Sequence, residues 1–264
     1  MNIDLSGRTA FVSGSTKGIG RAIAAGLARA GAATVVNGRD RGGVDAAVAA
    51  LRAGLPDAEI TGVAADVATA DGAAAAVAAV PAVDVLVNSL GIFAPKPVLR
   101  IDDDEWRRYF EVNVLAGVRL TRAWLPGMVD RGWGRVQFIA SDSAVAIPAE
   151  MVHYGVSKTA LLAVSRGHAK AVAGSGVTVN TVLAGPTHTE GVETFVREMV
   201  GEHLPWEDAQ RVFMADFRPN SLIRRLIEPR EIADMCVYLA SEQASATTGG
   251  ALRVDGGYVD SIVP

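Results

Sequence analysis

The chain has 264 residues, of which 50% are hydrophobic and 20% charged, with a net charge of −4 and one cysteine. That is enough apolar material for one large α/β core. The two signs of charge are mixed throughout, which excludes a basic nucleic-acid face and a polybasic membrane patch, and no run of about 18 apolar residues marks a membrane span.

Short β-branched runs alternate with helical periodicity along the whole chain. Thr9–Val12 is predicted as a strand and Ile19–Arg29 as a helix stopped by Gly31. Thr34–Val36 is the next strand and Val44–Leu51 the next helix. Ile60–Val63 is followed by an Ala-rich helix around Ala73–Ala79, and Val83–Val87 by a long helical region, Asp103–Met128, with a bend expected near Gly117. Val136–Ile139 and Val177–Val182 are strands on either side of a helix over Met151–Ala173. Glu231–Leu239 is helical and Ala251–Val254 closes as a seventh strand. Cys236, in the apolar pattern Ile232–Val237, reads as a buried hydrophobe. The opening Met1-Asn2-Ile3-Asp4-Leu5 lacks the basic and apolar regions of a signal peptide, so a cytoplasmic protein without a disulfide is expected.

Apolar strands alternating with helices specify a seven-stranded, mainly parallel sheet with helices on both faces. The expectation is one doubly wound Rossmann-type α/β domain over residues 1–264. Ligands of such sheets bind beyond the carboxyl ends of the strands, so functional motifs should follow strands directly.

Two motifs do so. After strand one comes Ser13-Gly14-Ser15-Thr16-Lys17-Gly18-Ile19-Gly20, spaced G-x-x-x-G-x-G. Glycines let backbone approach a phosphate closely, and the following helix aims its N-terminal N–H groups at the anion. Lys17 precedes Gly18, so the P-loop spacing fails and dinucleotide binding is the better reading. After strand two comes Asn37-Gly38-Arg39-Asp40. An acidic residue there would bond an adenosine ribose, whereas Arg39 suits a ribose 2′-phosphate, with Lys17 as a second cation. NADP(H) is therefore preferred over NAD(H), and Asp40 is left the role of capping the next helix.

A third feature is chemical. Tyr154 and Lys158 stand four residues apart in a predicted helix, so phenol and ammonium share one face. Bringing a tyrosine pKa from about 10 to about 7 takes roughly 4 kcal/mol, more than one lysine is expected to supply, so a second positive charge is needed nearby.

Together, in this order, these motifs resemble the short-chain dehydrogenase/reductase family over Leu5–Gly257, and within it the 3-oxoacyl-thioester reductases. The resemblance implies a glycine cofactor motif in Gly14, Ser15, Thr16, Lys17, Gly18, Ile19 and Gly20, and adenine contacts from Asp66 and Val67. It makes Asn88-Ser89-Leu90-Gly91 the counterpart of an Asn-Asn-Ala-Gly motif, with Asn88 and Gly91 kept. Asn113 would support a water in a proton relay, Ser141 would hydrogen-bond the substrate oxygen, and Tyr154 and Lys158 would form the Tyr-x-x-x-Lys pair. After strand six, Gly185, Thr187 and Thr189 would meet the nicotinamide end, with Ala184 in place of the usual proline. Thr248-Gly249-Gly250 and Asp255-Gly256-Gly257 also fit the family. Asp142 is unusual and the resemblance does not account for it.

The implied activity is hydride transfer between NADP(H) and a small-molecule ketone or secondary alcohol. The alternatives are an NAD(P)-dependent alcohol or polyol dehydrogenase and a non-catalytic cofactor sensor. The oxidised nicotinamide would be the second cation beside Tyr154. The resemblance implies a homo-oligomer, tetramer or dimer, with no nucleic acid or membrane partner. Residues 189–226 are expected to form a substrate lid containing Phe195, Met199, Leu204, Trp206, Phe213, Met214, Phe217, Leu222 and Ile223, most of them packing it down. Phe93, Ala146 and Met151 are further pocket candidates, and Arg218, Arg224 and Arg225 are expected mainly on solvated faces. The four histidines show no metal-ligand spacing, so no metal is expected.

Overall fold

A computed structural model describes residues 2–262. Among them, seven strands form one sheet in the order β3-β2-β1-β4-β5-β6-β7. The strands are β1 (Thr9–Val12), β2 (Ala33–Gly38), β3 (Ile60–Ala64), β4 (Val85–Asn88), β5 (Gly134–Ser141), β6 (Val177–Ala184) and β7 (Ala251–Val254). Every pairing is parallel, so "mainly parallel" understates the sheet. Each crossover carries a helix: α1 (Gly18–Arg29), α2 (Arg41–Gly54), α3 (Ala70–Ala79), α4 (Asp103–Phe110), α5 (Ala116–Asp130), α6 (Val152–Ala171), α7 (Glu190–Val200), α8 (Trp206–Phe217) and α9 (Pro229–Ala240).

Side chains alternate across a strand, and both faces of this sheet are covered. Ala10, Val12, Val36, Val85, Val87 and Val182 pack on α1, α2 and α9. Phe11, Val35, Leu86, Phe138, Val179 and Leu183 pack on the other face with α3, α5 and α6. Neighbouring strand residues thus enter opposite cores, which fixes the register: a slip of one residue would exchange the two sets. Cys236 is fully buried, as its pattern predicts.

The region 103–128 differs from expectation. The break comes before Gly117, where the chain widens into a π-helical turn over Glu111–Leu115 between α4 and α5. Such turns mark functional positions, and this one carries Asn113. Gly117 serves packing instead, since a Cβ there would lie 3.0 Å from the Phe138 ring and 3.3 Å from Asn88.

Residues 189–226 hold α7 and α8, whose Phe195, Val196, Ala209, Phe213 and Met214 form a small core of their own with Leu226 and Met151. The two ends of the segment are tied together, His188 N–H to the Ile227 carbonyl at 2.8 Å and Ile227 N–H to the Pro186 carbonyl at 2.8 Å. Leu222 and Ile223 are exposed and do not join that core.

Helix α3 is Ala-rich and weakly amphipathic, so it depends on its cap. The Thr69 hydroxyl accepts from Gly72 N–H at 3.0 Å. Thr69→Ala is expected to cost about 1 kcal/mol and to lower the melting temperature by about 2–4 °C, read by circular dichroism, with little change in activity.

Candidate active site

The chain reverses its winding between β1 and β4, and a cleft of about 500 Å³ opens beyond the ends of those strands. Its floor on one side is the turn from β1 into α1. Gly14 has φ of +62°, and a Cβ on it would lie 2.9 Å from the Leu90 Cα, so only glycine fits both the backbone angle and the neighbouring loop. A Cβ on Gly20 would collide with the Gly14 carbonyl oxygen. Helix α1 starts without a side-chain cap. Gly18, Ile19 and Gly20 line the cleft, so the uncapped first turn meets it with free N–H groups, the arrangement that binds phosphate. The donor set therefore fits a dinucleotide. Thr16, Lys17, Arg39, Asp66 and Val67 line the same end. Lys17 and Arg39 are exposed. Asp40 is spent on capping α2, its carboxylate accepting from Gly43 N–H at 2.6 Å.

Two expected cofactor residues do not reach the cleft. Ser15 is fully buried; its hydroxyl donates to the Val12 carbonyl at 2.6 Å and accepts from Asn37 N–H at 2.9 Å, which stitches β1 to β2. Asn88 is buried with its amide donating to Thr121 at 3.2 Å. Both shape the loops that line the site. Asn37, which sequence reasoning passed over, does line the cleft, and it donates to the Val63 and Ala65 carbonyls at 3.1 Å each. The Ser13 hydroxyl accepts from Ser89 N–H at 3.0 Å and Leu90 N–H at 3.2 Å, so the departures at Ser89 and Leu90 sit in a loop held by its backbone.

The other end of the cleft gathers Ser141, Tyr154 and Lys158 with Gly91. Lys158 is buried and donates to the Ile139 carbonyl at 2.9 Å, and burial pushes its ammonium down to about 8. Its Nζ lies 5.6 Å from the centre of the Tyr154 ring. Tyr154 shifts the other way. Its pKa lies above the ordinary tyrosine value because enclosure disfavours the phenolate; contact with Ser141 acts the other way, while the Asp142 and Tyr109 charges add to the rise. The desolvation that drives Lys158 down drives Tyr154 up.

Asn113 stands behind this group and off the cleft wall. Its Oδ1 accepts from Ile92 N–H at 2.8 Å, and its Nδ2 donates to the Ile92 carbonyl at 3.1 Å and to Ser157 at 2.9 Å. Both N–H donors are used, so the side chain fixes the Gly91–Ile92 loop against α6.

Gly185, Thr187 and Thr189 line the cleft between its ends. Thr187 donates to the Gly185 carbonyl at 2.8 Å. Thr189 caps α7, accepting from Val192 N–H at 3.2 Å, and its methyl faces Gly18. Ala184 closes β6 beside Ser141 and Val254.

Apolar walls come from Phe93, Met151, Val192, Phe195 and Phe213. Phe93 packs edge-on to Tyr154 and Phe195, with centroids 6.1 and 6.4 Å away. Ala146 lies outside the lining. Arg218, expected on a solvated face, is inside: its side chain is 11% exposed, pairs with Glu150 at 3.6 Å and stacks over Phe213 and Tyr258. Arg224 is exposed, and the exposed Arg225 pairs with Glu231 at 2.8 Å. No cluster of His, Cys, Asp or Glu that could hold a metal occurs among the described residues, and no helix there is long and apolar enough to cross a membrane.

The family profile described as Enoyl-(Acyl carrier protein) reductase matches residues 14–259. The chain is 47% identical to an uncharacterized oxidoreductase, YvaG, of Bacillus subtilis (strain 168), over 99% of this chain and 100% of that one. It is 32% identical to the 3-oxoacyl-[acyl-carrier-protein] reductase FabG of Vibrio harveyi, over 97% and 98%. Among solved structures, the L-sorbose reductase of Gluconobacter frateurii complexed with NADPH and L-sorbose superposes with a TM-score of 0.93 at 32% identity, covering 99% of this chain and 100% of that one. The chain belongs to the short-chain dehydrogenase/reductase family and is an NAD(P)-dependent oxidoreductase.

Because a Cβ at Gly20 meets backbone and not a movable side chain, the turn must shift to accept it. Gly20→Ala is expected to weaken NADPH binding about tenfold or more, a loss of at least about 1.4 kcal/mol, read by quenching or enhancement of nicotinamide fluorescence.

Proposed function

We propose that the protein is an NADP(H)-dependent reductase that moves hydride between the nicotinamide and a small ketone or the matching secondary alcohol. The observation that carries the reading is the continuity of one cleft: a glycine turn with Arg39 at one end, and Ser141, Tyr154 and Lys158 at the other. The bound nicotinamide supplies or accepts the hydride. The chain's own residues do the rest. Arg39 and Lys17 meet the ribose 2′-phosphate, a charge-assisted contact that NADH cannot make. Ser141 donates to the carbonyl oxygen as charge builds there. Tyr154 holds the proton in its phenol and gives it to that oxygen as general acid.

Lys158, still charged below about pH 8, orients the nicotinamide ribose and supports the phenolate that remains. Asn113 holds the loop against which Lys158 packs. The segment 189–226 acts as a lid, its Phe195 and Phe213 excluding water from the reacting atoms. The NADPH complex of the superposed L-sorbose reductase supports the cofactor reading, and the FabG relative keeps a 3-oxoacyl substrate in play.

Two measurements test this. NADPH should be turned over with a kcat/KM at least about tenfold above that for NADH, and Arg39→Ala should remove most of the difference, a step of about 1.4 kcal/mol; equal efficiencies in the wild type would defeat the NADP(H) reading. Tyr154→Phe should bind NADPH as the wild type does and lose roughly 10²–10⁴-fold in turnover; near-wild-type turnover would defeat the acid role.

A further inference from the structure

Asp142 is a buried charged residue of this cleft that the reading above leaves unused. It follows Ser141 at the end of β5, is 5% exposed, and lines the cleft beside its neighbour. Its Oδ1 accepts from the Ser141 hydroxyl at 2.8 Å, from Ser143 N–H at 2.6 Å and from the Ser143 hydroxyl at 3.3 Å. Its Oδ2 is buried with no hydrogen-bond partner among the described residues.

The consequence lies in hydrogen counting. A serine hydroxyl has one hydrogen and two lone pairs. The Ser141 oxygen already accepts from Ser143 N–H at 3.1 Å, and its one hydrogen points to Asp142. While that hydrogen is there, Ser141 cannot donate to a substrate carbonyl. A hydrogen bond to a carboxylate is roughly twice as strong as one to a neutral acceptor, so the ionised Asp142 holds the hydrogen and the neutral acid releases it more readily.

We propose that Asp142 is a positioning residue for carbonyl reduction: its carboxylate draws the Ser141 hydroxyl hydrogen away from the substrate oxygen, and protonation of that carboxylate frees the hydrogen for the reaction. The inference rests on Ser141 being the donor to the substrate oxygen. Groups facing Asp142 set how readily it ionises. Arg218, from the end of α8, favours the carboxylate. Tyr154 of α6 and Tyr258, beyond β7, stand near enough for the Asp142 charge to raise both phenols, and Glu150 draws the Arg218 cation toward itself at 3.6 Å. Burial outweighs Arg218 and the serine hydrogen bonds, and the Asp142 carboxyl sits above the ordinary aspartate value.

The sign follows. A raised carboxyl stays protonated to higher pH than a free aspartate, so the competent form is present at low pH and is lost as pH rises through that value. The ionised form also raises the Tyr154 phenol, which disfavours the phenolate required for alcohol oxidation, so it helps neither direction.

The test is the pH profile of kcat for NADPH-driven reduction of a panel of small ketones, between about pH 5.5 and 9, at saturating cofactor. The wild type should lose activity with rising pH, by up to the roughly 10²-fold that one missing oxyanion donor costs. Asp142→Asn, isosteric and permanently neutral, should lose that limb and exceed the wild type at the alkaline end. Asp142→Ala, which removes the acceptor, should do the same, so the test survives if either variant folds poorly. Arg218→Met should move the limb to higher pH. Ser141→Ala should be slow at every pH, and in that background Asp142→Asn should change nothing.

Superposed wild-type, Asn and Ala profiles would overturn the proposal. So would a limb in Ser141→Ala that Asp142→Asn abolishes, since Asp142 would then act without Ser141; a limb near pH 8 common to every variant belongs to Lys158. A wild type that binds NADPH but reduces none of the ketones would overturn both this inference and the hydride-transfer reading beneath it.

Discussion

Lys158 is a cation taken out of water, and the site is organised around the cost of keeping it there. Its ammonium reaches the Ile139 carbonyl at the end of β5, which ties α6 to the sheet. The space beside it is tight: a Cβ on Gly91 would lie 3.2 Å from Nζ. The loop carrying Gly91 is in turn fixed by Asn113, which bonds Ile92 on one side and Ser157 of α6 on the other. One buried charge thus sets the relation of β5, the loop after β4, the π-turn and α6. A buried charge with a single protein hydrogen bond is poorly satisfied, and its depressed pKa is the measure of that.

The same enclosure explains the acid–base behaviour of the group. Desolvation penalises whichever form is charged, so it lowers a lysine and raises a tyrosine or an aspartate together. All three occur within one cleft, at Lys158, Tyr154 and Asp142. Burial thus favours the protonated phenol and carboxyl and weakens the hold of Lys158 on its proton. A pair read as phenolate and ammonium from spacing alone is, in the folded chain, a pair pushed toward its uncharged forms, and the expected second positive charge becomes more necessary.

Much of the architecture was legible in the chain. All seven strands were placed to within a few residues, because alternating faces and β-branched runs leave a mark that depends only on neighbours in sequence. Ser141, Tyr154, Lys158, the glycine turn and Arg39 line one cleft, and each could be picked out because it follows a strand or repeats at a helical spacing. The failures share a cause. Ser15 and Asn88 lie inside good motifs but turn into the protein, where their polar atoms satisfy backbone and Thr121. Gly117 looked like a bend and is a packing contact, whereas the helical region is interrupted by a π-turn that no residue in Glu111–Leu115 advertises. Arg218 looked solvated because its burial depends on how α8 folds over Tyr258 and Glu150.

The sequence by itself therefore determined the order of the elements, the end of the sheet where the motif-bearing loops lie and the residue types gathered there, all of which follow from local periodicity and from the fixed geometry of a parallel sheet. Only the tertiary structure decided which of those residues are buried, the direction in which burial shifts them and the partners their side chains meet. Whether Tyr154 is raised or lowered, and whether Ser141 donates to Asp142 or into the cleft, depends on how much water and which distant groups reach each atom. Those are sums over residues far apart in the chain, and no spacing in the sequence encodes them.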